Sequence, residues 1–163
     1  MFPEMRRKNQ QLSREESIQV LERGTAGVLA VSGEDGYPYA VPMSYVYADG
    51  ALYFHCARSG HKLDAVRREE KASFCVIDAD RIVPEELTTY YRSVIAFGRA
   101  RILEDEGEVR AAIRLLARRY SPDSADERIE GSIDRELPAL CMVEFTIEHL
   151  TGKEAIELRR AGK

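Results

Sequence analysis

The sequence predicts a mainly β, α+β fold: a six-stranded antiparallel β-barrel with peripheral helices. Three apolar segments, 25–32, 37–48 and 51–57, follow one another across Glu34-Asp35-Gly36 and Asp49-Gly50, which are typical hairpin turns. A long strand over 88–104 has Gly98 in its interior, which indicates a bulge or bend of the kind that a small barrel needs. The consecutive strands predict a meander rather than βαβ units.

Composition narrows the class of protein. With 163 residues, 44% hydrophobic and 32% charged, the chain is typical of one globular domain. A net charge of −4 disfavours nucleic-acid binding. No apolar run approaches the roughly 18 residues of a membrane span, and the N-terminus lacks the apolar core of a secretory signal. Three widely spaced cysteines without a CxxC pair favour a reducing cytoplasm. We therefore expect a cytoplasmic protein without nucleic-acid or membrane partners.

The chain is expected to form a single domain over 1–163. Residues 1–24 form an N-terminal arm and a helix, which Ser13 and the glutamates after it begin and Gly24 ends. Residues 25–104 carry the barrel strands and a helix over 60–70. Residues 106–136 are a helical insertion, amphipathic as far as Tyr120; its polar remainder predicts a loop with a helical turn. The last strand lies within 138–152, and a surface tail or short helix comes after it.

The second strand alternates large and small side chains. The large face comprises Tyr37, Tyr39, Val41, Met43, Tyr45 and Tyr47, and the small face Pro38, Ala40, Pro42, Ser44, Val46 and Ala48. The large face fits a core or an interface, whereas the small face lets a flat ligand lie close to the backbone. Pro42 lacks a backbone donor, which places the strand at an edge or makes it irregular there. The alternative is a barrel strand whose taper needs small residues.

Cations gather where the helix over 60–70 begins. Arg58, His61 and Lys62 crowd a helix start that Ser59 is expected to cap, although the helix dipole is already positive there. Asp64 offsets only part of this charge, and a bound anion would offset the rest. The hypothesis is a phosphate site, and the alternative is a solvated basic turn.

His55 and Cys56 end the third predicted strand. Neighbours on a strand point to opposite faces, so the pair does not predict a metal site. A histidine titrates near neutral pH, so His55 is a candidate proton donor or ring-contacting group beside a cofactor. The alternative is a hydrogen-bonded structural histidine. Cys56 is interpreted as a small packing residue, because nothing in the sequence lowers its pKa.

Together these segments resemble the flavin-binding split-barrel superfamily that includes pyridoxamine 5′-phosphate oxidase, and more narrowly its nitroimidazole-resistance subgroup. The similarity extends from Met5 to about Leu158. It is carried by GTAGVLAVSGEDGYPYAVPMSYVY, YFHCARSGHKLDAVRR, YYRSVIAFGRARILEDE and HLTGKEAIEL. The resemblance implies a six-stranded split barrel and a homodimer with FMN in grooves at the subunit interface.

The resemblance also implies roles for residues of this chain. Val41, Pro42, Met43 and Ser44 would follow the flavin ring. His55 and Cys56 would touch the ring or the ribityl chain, and His61 and Lys62 would hold the phosphate. Ser93 would be contributed across the dimer. The unusual features of the sequence, a small-faced strand and cations at a helix start, fall on these same segments.

The expected function is an FMN-dependent reductase of nitroimidazole-type or other small electrophilic compounds, with NAD(P)H as donor and His55 nearest the redox centre. The substrate-phosphate clamp of the oxidase has no match here, so pyridoxamine oxidation is not predicted. His61 stands where the oxidases carry arginine, which makes phosphate affinity more pH-dependent. Two rivals remain: a non-catalytic barrel that binds or senses FMN or haem, and an enzyme that uses a deazaflavin.

Overall fold

The computed structural model describes residues 2–161, which form a single antiparallel sheet of seven strands with five α-helices around it. The strands are β1 Ala26–Ser32, β2 Pro38–Ser44, β3 Val46–Ala48, β4 Ala51–Ala57, β5 Lys71–Val83, β6 Thr88–Ile102 and β7 Leu140–Glu154. The helices are α1 Arg14–Arg23, α2 His61–Arg68, α3 Glu106–Tyr120, α4 Asp126–Glu136 and α5 Ile156–Ala161. The mainly β, antiparallel class is confirmed.

Two local hairpins are confirmed at the predicted turns. β1 pairs with β2 in the register Ser32↔Pro38, and β3 pairs with β4 in the register Ala48↔Ala51. Asp35 and Gly36, and likewise Asp49 and Gly50, all have positive φ. Two consecutive residues of positive φ match the right-handed twist of the flanking strands, which is why Asp-Gly is favoured there.

The predicted count of six strands is wrong by one. The segment 37–48 is interrupted at Tyr45, where the chain leaves its pairing with β1 and begins to pair with β4. The sheet order is β2-β1-β5-β6-β7-β4-β3, so β2 and β3 are its two outermost strands. Because only Tyr45 separates them, the two edges of the sheet meet at this residue. Closure as a split barrel stays a prediction.

Tyr45 is fixed by the core that it helps to build. Its hydroxyl donates to the Leu21 carbonyl oxygen at 2.8 Å, and its ring meets Phe74 edge-on at 5.1 Å between centroids. Phe74 stacks on Phe54 at 5.3 Å. All three rings are fully buried. Deep burial of such large side chains holds α1 against the inner face of the sheet.

The bulge predicted at Gly98 is confirmed. The β6–β7 register shifts between Phe97 and Gly98, where Gly98 pairs with Ile147. A Cβ on Gly98 would overlap the carbonyl oxygen of Thr146, so only glycine allows this approach of the two strands. The expected edge position of Pro42 is also confirmed, because β2 is an outermost strand.

Two helix starts differ in how well the sequence predicts them. At α1 the Ser13 hydroxyl accepts from the Glu16 N–H at 3.1 Å and the Glu16 carboxylate accepts from the Ser13 N–H at 2.6 Å, so the predicted cap is confirmed. The prediction that Ser59 caps α2 is wrong. Gly60 is the N-cap residue, and its φ of 135° is a conformation that glycine alone adopts readily.

Two further elements differ from their prediction: one predicted loop is a helix, and the last strand is longer than predicted. Residues 126–136 form the helix α4 rather than a loop, because Ile129 and Ile133 are buried at adjacent turns of an otherwise polar sequence. The last strand continues to Glu154, which pairs with Arg92. Gly152 makes this extension possible, since a Cβ there would crowd Leu12. No helix within 2–161 combines the length and apolar character that crossing a membrane requires.

Candidate functional site

The two faces of β2 are separated as the sequence predicts. The large residues face inward: Met43 is 7% exposed, and Tyr39 and Val41 pack against the core. The small residues Pro38, Ala40, Pro42 and Ser44 are exposed. The barrel-taper alternative is therefore wrong, because it requires the small side chains to point inward. Beyond Ser44 the alternation ends, since Tyr45 and Val46 are both buried.

One end of this outer face lies beside the start of α2. A small cavity of about 120 Å³ there is lined by Pro38, Tyr39, His61 and Arg68, among others. The rings of Tyr39 and His61 are 6.3 Å apart. The N-cap of α2 has no side-chain hydrogen bond, so the first N–H groups of the helix are uncapped. Such a helix start attracts anions.

Three of the basic residues at this end, Arg58, His61 and Lys62, have no carboxylate partner within 2–161, whereas Arg68 is 3.8 Å from the Glu34 carboxylate. Asp64, the one acidic residue in the first turn, pairs with Arg67 at 3.0 Å rather than with His61 or Lys62. His61 is exposed and Lys62 is half-buried. Arg58 donates from Nε to the Leu140 carbonyl oxygen at 3.3 Å. The charges that suggested a phosphate site therefore remain uncompensated in the folded chain.

The other end of the outer face opens into a cavity of about 560 Å³, called the large cavity below. Ser44 of β2, His55 of β4 and Leu140 of β7 form its sheet side. The helices α3 and α4 supply the opposite wall through Ile113, Leu116, Ala117, Tyr120, Arg128, Ile129, Ser132, Ile133 and Glu136. His55 is exposed and makes no side-chain hydrogen bond to any residue from 2 to 161. Within the described residues, His55 is therefore not a hydrogen-bonded structural histidine.

Cys56 points the opposite way from His55, as expected for strand neighbours. Its side chain is buried and lies across from Cys141 of β7. Burial, with a smaller contribution from Cys141, raises the pKa of the Cys56 thiol to about 11. Cys56 is thus a packing residue, as interpreted from the sequence. The side chain of Met43 is buried as well, whereas that of Val41 is half-buried.

Ser93 lies far from the other predicted site residues within one chain. It sits on β6, and the order β2-β1-β5-β6 places it three strands from Pro42. At about 4.8 Å between strands, that separation is about 14 Å. Of the predicted site residues, His61 therefore lies at the Pro38 end of the exposed face of β2, His55 lies beside Ser44 at its other end, and Ser93 lies apart.

The helical side of the large cavity is not predicted by the sequence. Tyr120 ends α3, and its hydroxyl accepts from the Tyr45 N–H at 3.1 Å, beside the Thr25 carbonyl oxygen. This anchors α3 at the junction of β2 and β3. Arg128 and Ser132 line the cavity from α4. The isoleucine pair Ile129 and Ile133, spaced by four residues, was the one pattern that could have revealed this helix.

Among residues 2–161, no group of three or more His, Cys, Asp or Glu side chains is placed to hold a metal ion. The donor set of the outer face is instead one of backbone N–H groups, basic side chains and small exposed residues. This chemistry suits a flat organic ligand with an anionic end.

Comparison with known proteins identifies the family of this chain. The family model for pyridoxamine 5′-phosphate oxidase matches residues 13–154. The chain belongs to the pyridoxamine 5′-phosphate oxidase family. The resemblance noted in the sequence is thereby confirmed, and both β2 and α2 lie inside the matched region. No sequence match to a curated protein was found.

Several solved structures share the fold of this family member. A candidate 5-nitroimidazole antibiotic resistance protein from Bacteroides thetaiotaomicron is 20% identical, with a TM-score of 0.72 over 88% of this chain and 86% of that one. A FAD-binding protein from Mesorhizobium loti is 26% identical, with a TM-score of 0.62 over 89% and 96%. A FAD and haem binding protein from Mycobacterium smegmatis is 22% identical, with a TM-score of 0.72 over 96% and 81%.

Proposed function

We propose that this member of the pyridoxamine 5′-phosphate oxidase family is a flavin-dependent reductase of small electrophilic compounds such as nitroimidazoles. One observation carries the proposal: the exposed small face of β2 joins a basic helix start to the cavity beside His55. From Pro38 to Ser44 the strand spans about 20 Å. That is the length scale of an extended flavin mononucleotide.

The residues present fit such a cofactor. Lys62, His61 and the uncapped N–H groups of α2 would hold its phosphate. The exposed face of Pro38, Ala40 and Pro42 would lie against its flat portion, because small side chains let a ring approach the backbone. FMN is the form proposed here; the FAD of two structural neighbours is the alternative. A bound flavin would supply the redox chemistry, accepting electrons from a donor such as NAD(P)H.

His55 is proposed as the proton donor to the reduced acceptor. It is exposed, lines the large cavity and has no hydrogen-bond partner among the described residues to occupy its ring nitrogens. Contact with solvent would let it regain a proton after each turnover. Ser44, on the same cavity wall, would help to orient the acceptor.

We also propose a homodimer, which would bring Ser93 of one protomer to the site of its partner. The outer surface of β5 and β6 carries exposed apolar side chains, Ile77 at 68% and Ile95 at 39%. Exposed apolar patches of this kind mark interaction surfaces. Within one chain, Ser93 lies three strands away from Pro42. A site shared across a dimer interface would bring the two residues together.

The first test is a titration of the purified protein with FMN and, separately, with FAD, with visible absorption measured after removal of free flavin. Flavin absorption that remains with the protein supports a flavin cofactor, and the flavin that binds more tightly identifies which one it is. A protein that retains neither flavin would refute the proposal. Sedimentation of the Ile77→Lys variant tests the dimer, which we expect to become monomeric and to lose flavin affinity.

Turnover is tested by NAD(P)H oxidation that depends on a nitroimidazole. We expect His55→Ala to lower kcat by about a hundredfold, as for a lost general acid. Tyr53→Phe is the matched control, because Tyr53 lies two residues away on the same face of β4 and its hydroxyl donates to Glu144 instead. Retained flavin without turnover of any acceptor would favour the non-catalytic binder.

Haem binding is a second candidate, and one observation favours it. The large cavity combines His55, which has no side-chain partner among residues 2–161, with apolar helix faces and Arg128. These could serve as the axial ligand, the porphyrin contacts and the propionate contact of a haem. A structural neighbour binds both FAD and haem. Titration with haemin decides: a Soret band that His55→Ala abolishes would support haem, and no Soret band would exclude it.

A further inference from the structure

The arginines of α3 and α4 that lie near the large cavity divide into those with partners and one without. Arg110 pairs with Asp134 at 2.8 Å, and Arg114 pairs with Glu130. Arg118 pairs with Asp126, and Arg119 donates to the Arg23 carbonyl oxygen at 2.7 Å. Arg128 is the exception. Its guanidinium makes no ion pair or hydrogen bond with any residue from 2 to 161, although acidic side chains precede and follow it on α4.

Arg128 is also the arginine that lines the large cavity. It lies one turn before Ser132 on the same face of α4, and Ser121 and Ser124 line the cavity nearby in the loop before α4. Apart from Glu136 and the Tyr120 hydroxyl, the rest of the helical wall is apolar, through Leu116, Ile129 and others. A cavity with an apolar body and one free guanidinium matches a mostly apolar molecule with one anionic group.

The acidic group of the cavity is placed away from this guanidinium. Glu136 lines the same cavity but lies eight residues beyond Arg128, about 12 Å along the helix axis. Its carboxylate is 3.9 Å from Arg135. An anionic ligand is therefore attracted to the Arg128 end and repelled from the Glu136 end. The ligand would therefore lie with its anionic group at the Arg128 end of the cavity.

We propose that the cavity between the sheet and the helices α3 and α4 binds a planar, mostly apolar organic acid through Arg128. The consequence for catalysis rests on the proposed reductase function: because His55 lines the same cavity, the physiological acceptor is an organic anion rather than a neutral ring. Arg128 is then a specificity-determining residue, which binds the end of the acceptor remote from the reacting group.

The binding experiment uses the full chain with and without added FMN. Calorimetric titration compares a naphthalene carboxylate with its neutral amide, which has the same shape without the charge. We expect the carboxylate to bind about tenfold more tightly than the amide. Arg128→Gln should remove this preference, and Arg128→Lys should keep most of it. Arg114→Gln is the matched control, because Arg114 lies on α3 outside the cavity lining.

Kinetics separates the acceptor role from simple binding. With nitrobenzoate and nitrobenzamide as acceptors, Arg128→Gln should raise KM for nitrobenzoate about tenfold, leaving kcat and the nitrobenzamide KM unchanged. An unchanged preference for the carboxylate in Arg128→Gln would overturn the inference, even if the protein reduces nitro compounds. Haemin that displaces the carboxylate with a His55-dependent Soret band would also overturn it.

The two proposals fail in different ways. A protein that retains no flavin but binds the carboxylate through Arg128 would refute the reductase and the acceptor role while supporting the anion site. A protein that retains flavin and reduces nitro compounds, but binds acid and amide equally, would refute the anion site alone.

Discussion

Adjacent residues of β2 differ in what constrains them. Met43 is almost fully buried and packs in the core, whereas Ser44, the next residue, is exposed and lines the large cavity. The inner face is determined by packing in the core. The outer face is exposed, so core packing does not explain its small side chains, whereas the proposed flavin would. Substitutions on the two faces should therefore change different quantities.

The largest expected effect is on the inner face. Met43→Ala should lower the free energy of unfolding by about 2–5 kcal/mol, because it removes buried apolar atoms and leaves a cavity. Ser44→Ala, one residue away on the outer face, should change the unfolding free energy by less than about 0.5 kcal/mol. Urea denaturation monitored by circular dichroism measures both. Equal effects of the two substitutions would abolish the distinction between the faces.

In β4, the exposed His55 and the buried Cys56 offer the same comparison between an outer and an inner face. Since burial raises the pKa of Cys56 to about 11, its thiolate fraction at pH 8 should be lower by on the order of a hundredfold than that of a free thiol. We expect alkylation of Cys56 by iodoacetamide at pH 8 to be slower by at least this factor in the native protein than in urea. Peptide mass spectrometry quantifies each cysteine separately. Comparable rates in both states would place Cys56 at the surface.

The outer face should respond through the ligand. Ala40→Leu adds bulk where the flat portion of a flavin is proposed to lie. It should weaken flavin binding by about 1–3 kcal/mol, the usual cost of forcing extra methylenes into a close contact. Its effect on stability should be small, because Ala40 is exposed. Ala111→Leu, at an exposed alanine of α3 outside the cavity, is the control. Unaltered flavin affinity in Ala40→Leu would move the cofactor away from β2.

The smallest expected effect is at the basic end. Lys62→Ala should weaken flavin binding about fivefold to tenfold, because it removes one charged contact to phosphate while the N–H groups of α2 remain. The affinity of the variant should also depend less on salt concentration. Arg67→Ala is the control on the same helix, because Arg67 pairs with Asp64. A loss shared equally by both variants would indicate general electrostatics rather than a phosphate contact.

The sequence predicted those features that depend on local chemistry. The Asp-Gly turns, the Ser13 cap and the bulge at Gly98 each depend on what one or two residues allow the backbone to do. The opposite orientations of His55 and Cys56 result from strand periodicity alone. These preferences act over a few residues, so they can be inferred without knowledge of the tertiary fold.

The features that the sequence did not predict depend on contacts between distant segments. Tyr45 divides the second predicted strand because its ring fills the core and its hydroxyl reaches Leu21. The helix α4 has a polar composition, and its existence depends on the burial of two isoleucines beneath it. The candidate site was predicted on the sheet side, from β2, β4 and α2. Its helical wall was not, because nothing local shows that Arg128 lacks a partner.

The position of Tyr45 between the two outermost strands has a consequence for the order of folding. The hairpins β1–β2 and β3–β4 each close over a short turn, so they require little loop-closure entropy, and a single residue joins them. The pairing of β4 with β7 must bring together residues that are far apart in the sequence. We expect the two hairpins to form early and β7 to add late. Replacing Gly50 by Ala should then mainly slow folding, and Val143→Ala should mainly speed unfolding. Stopped-flow kinetics in urea would show the reverse if β7 formed the nucleus.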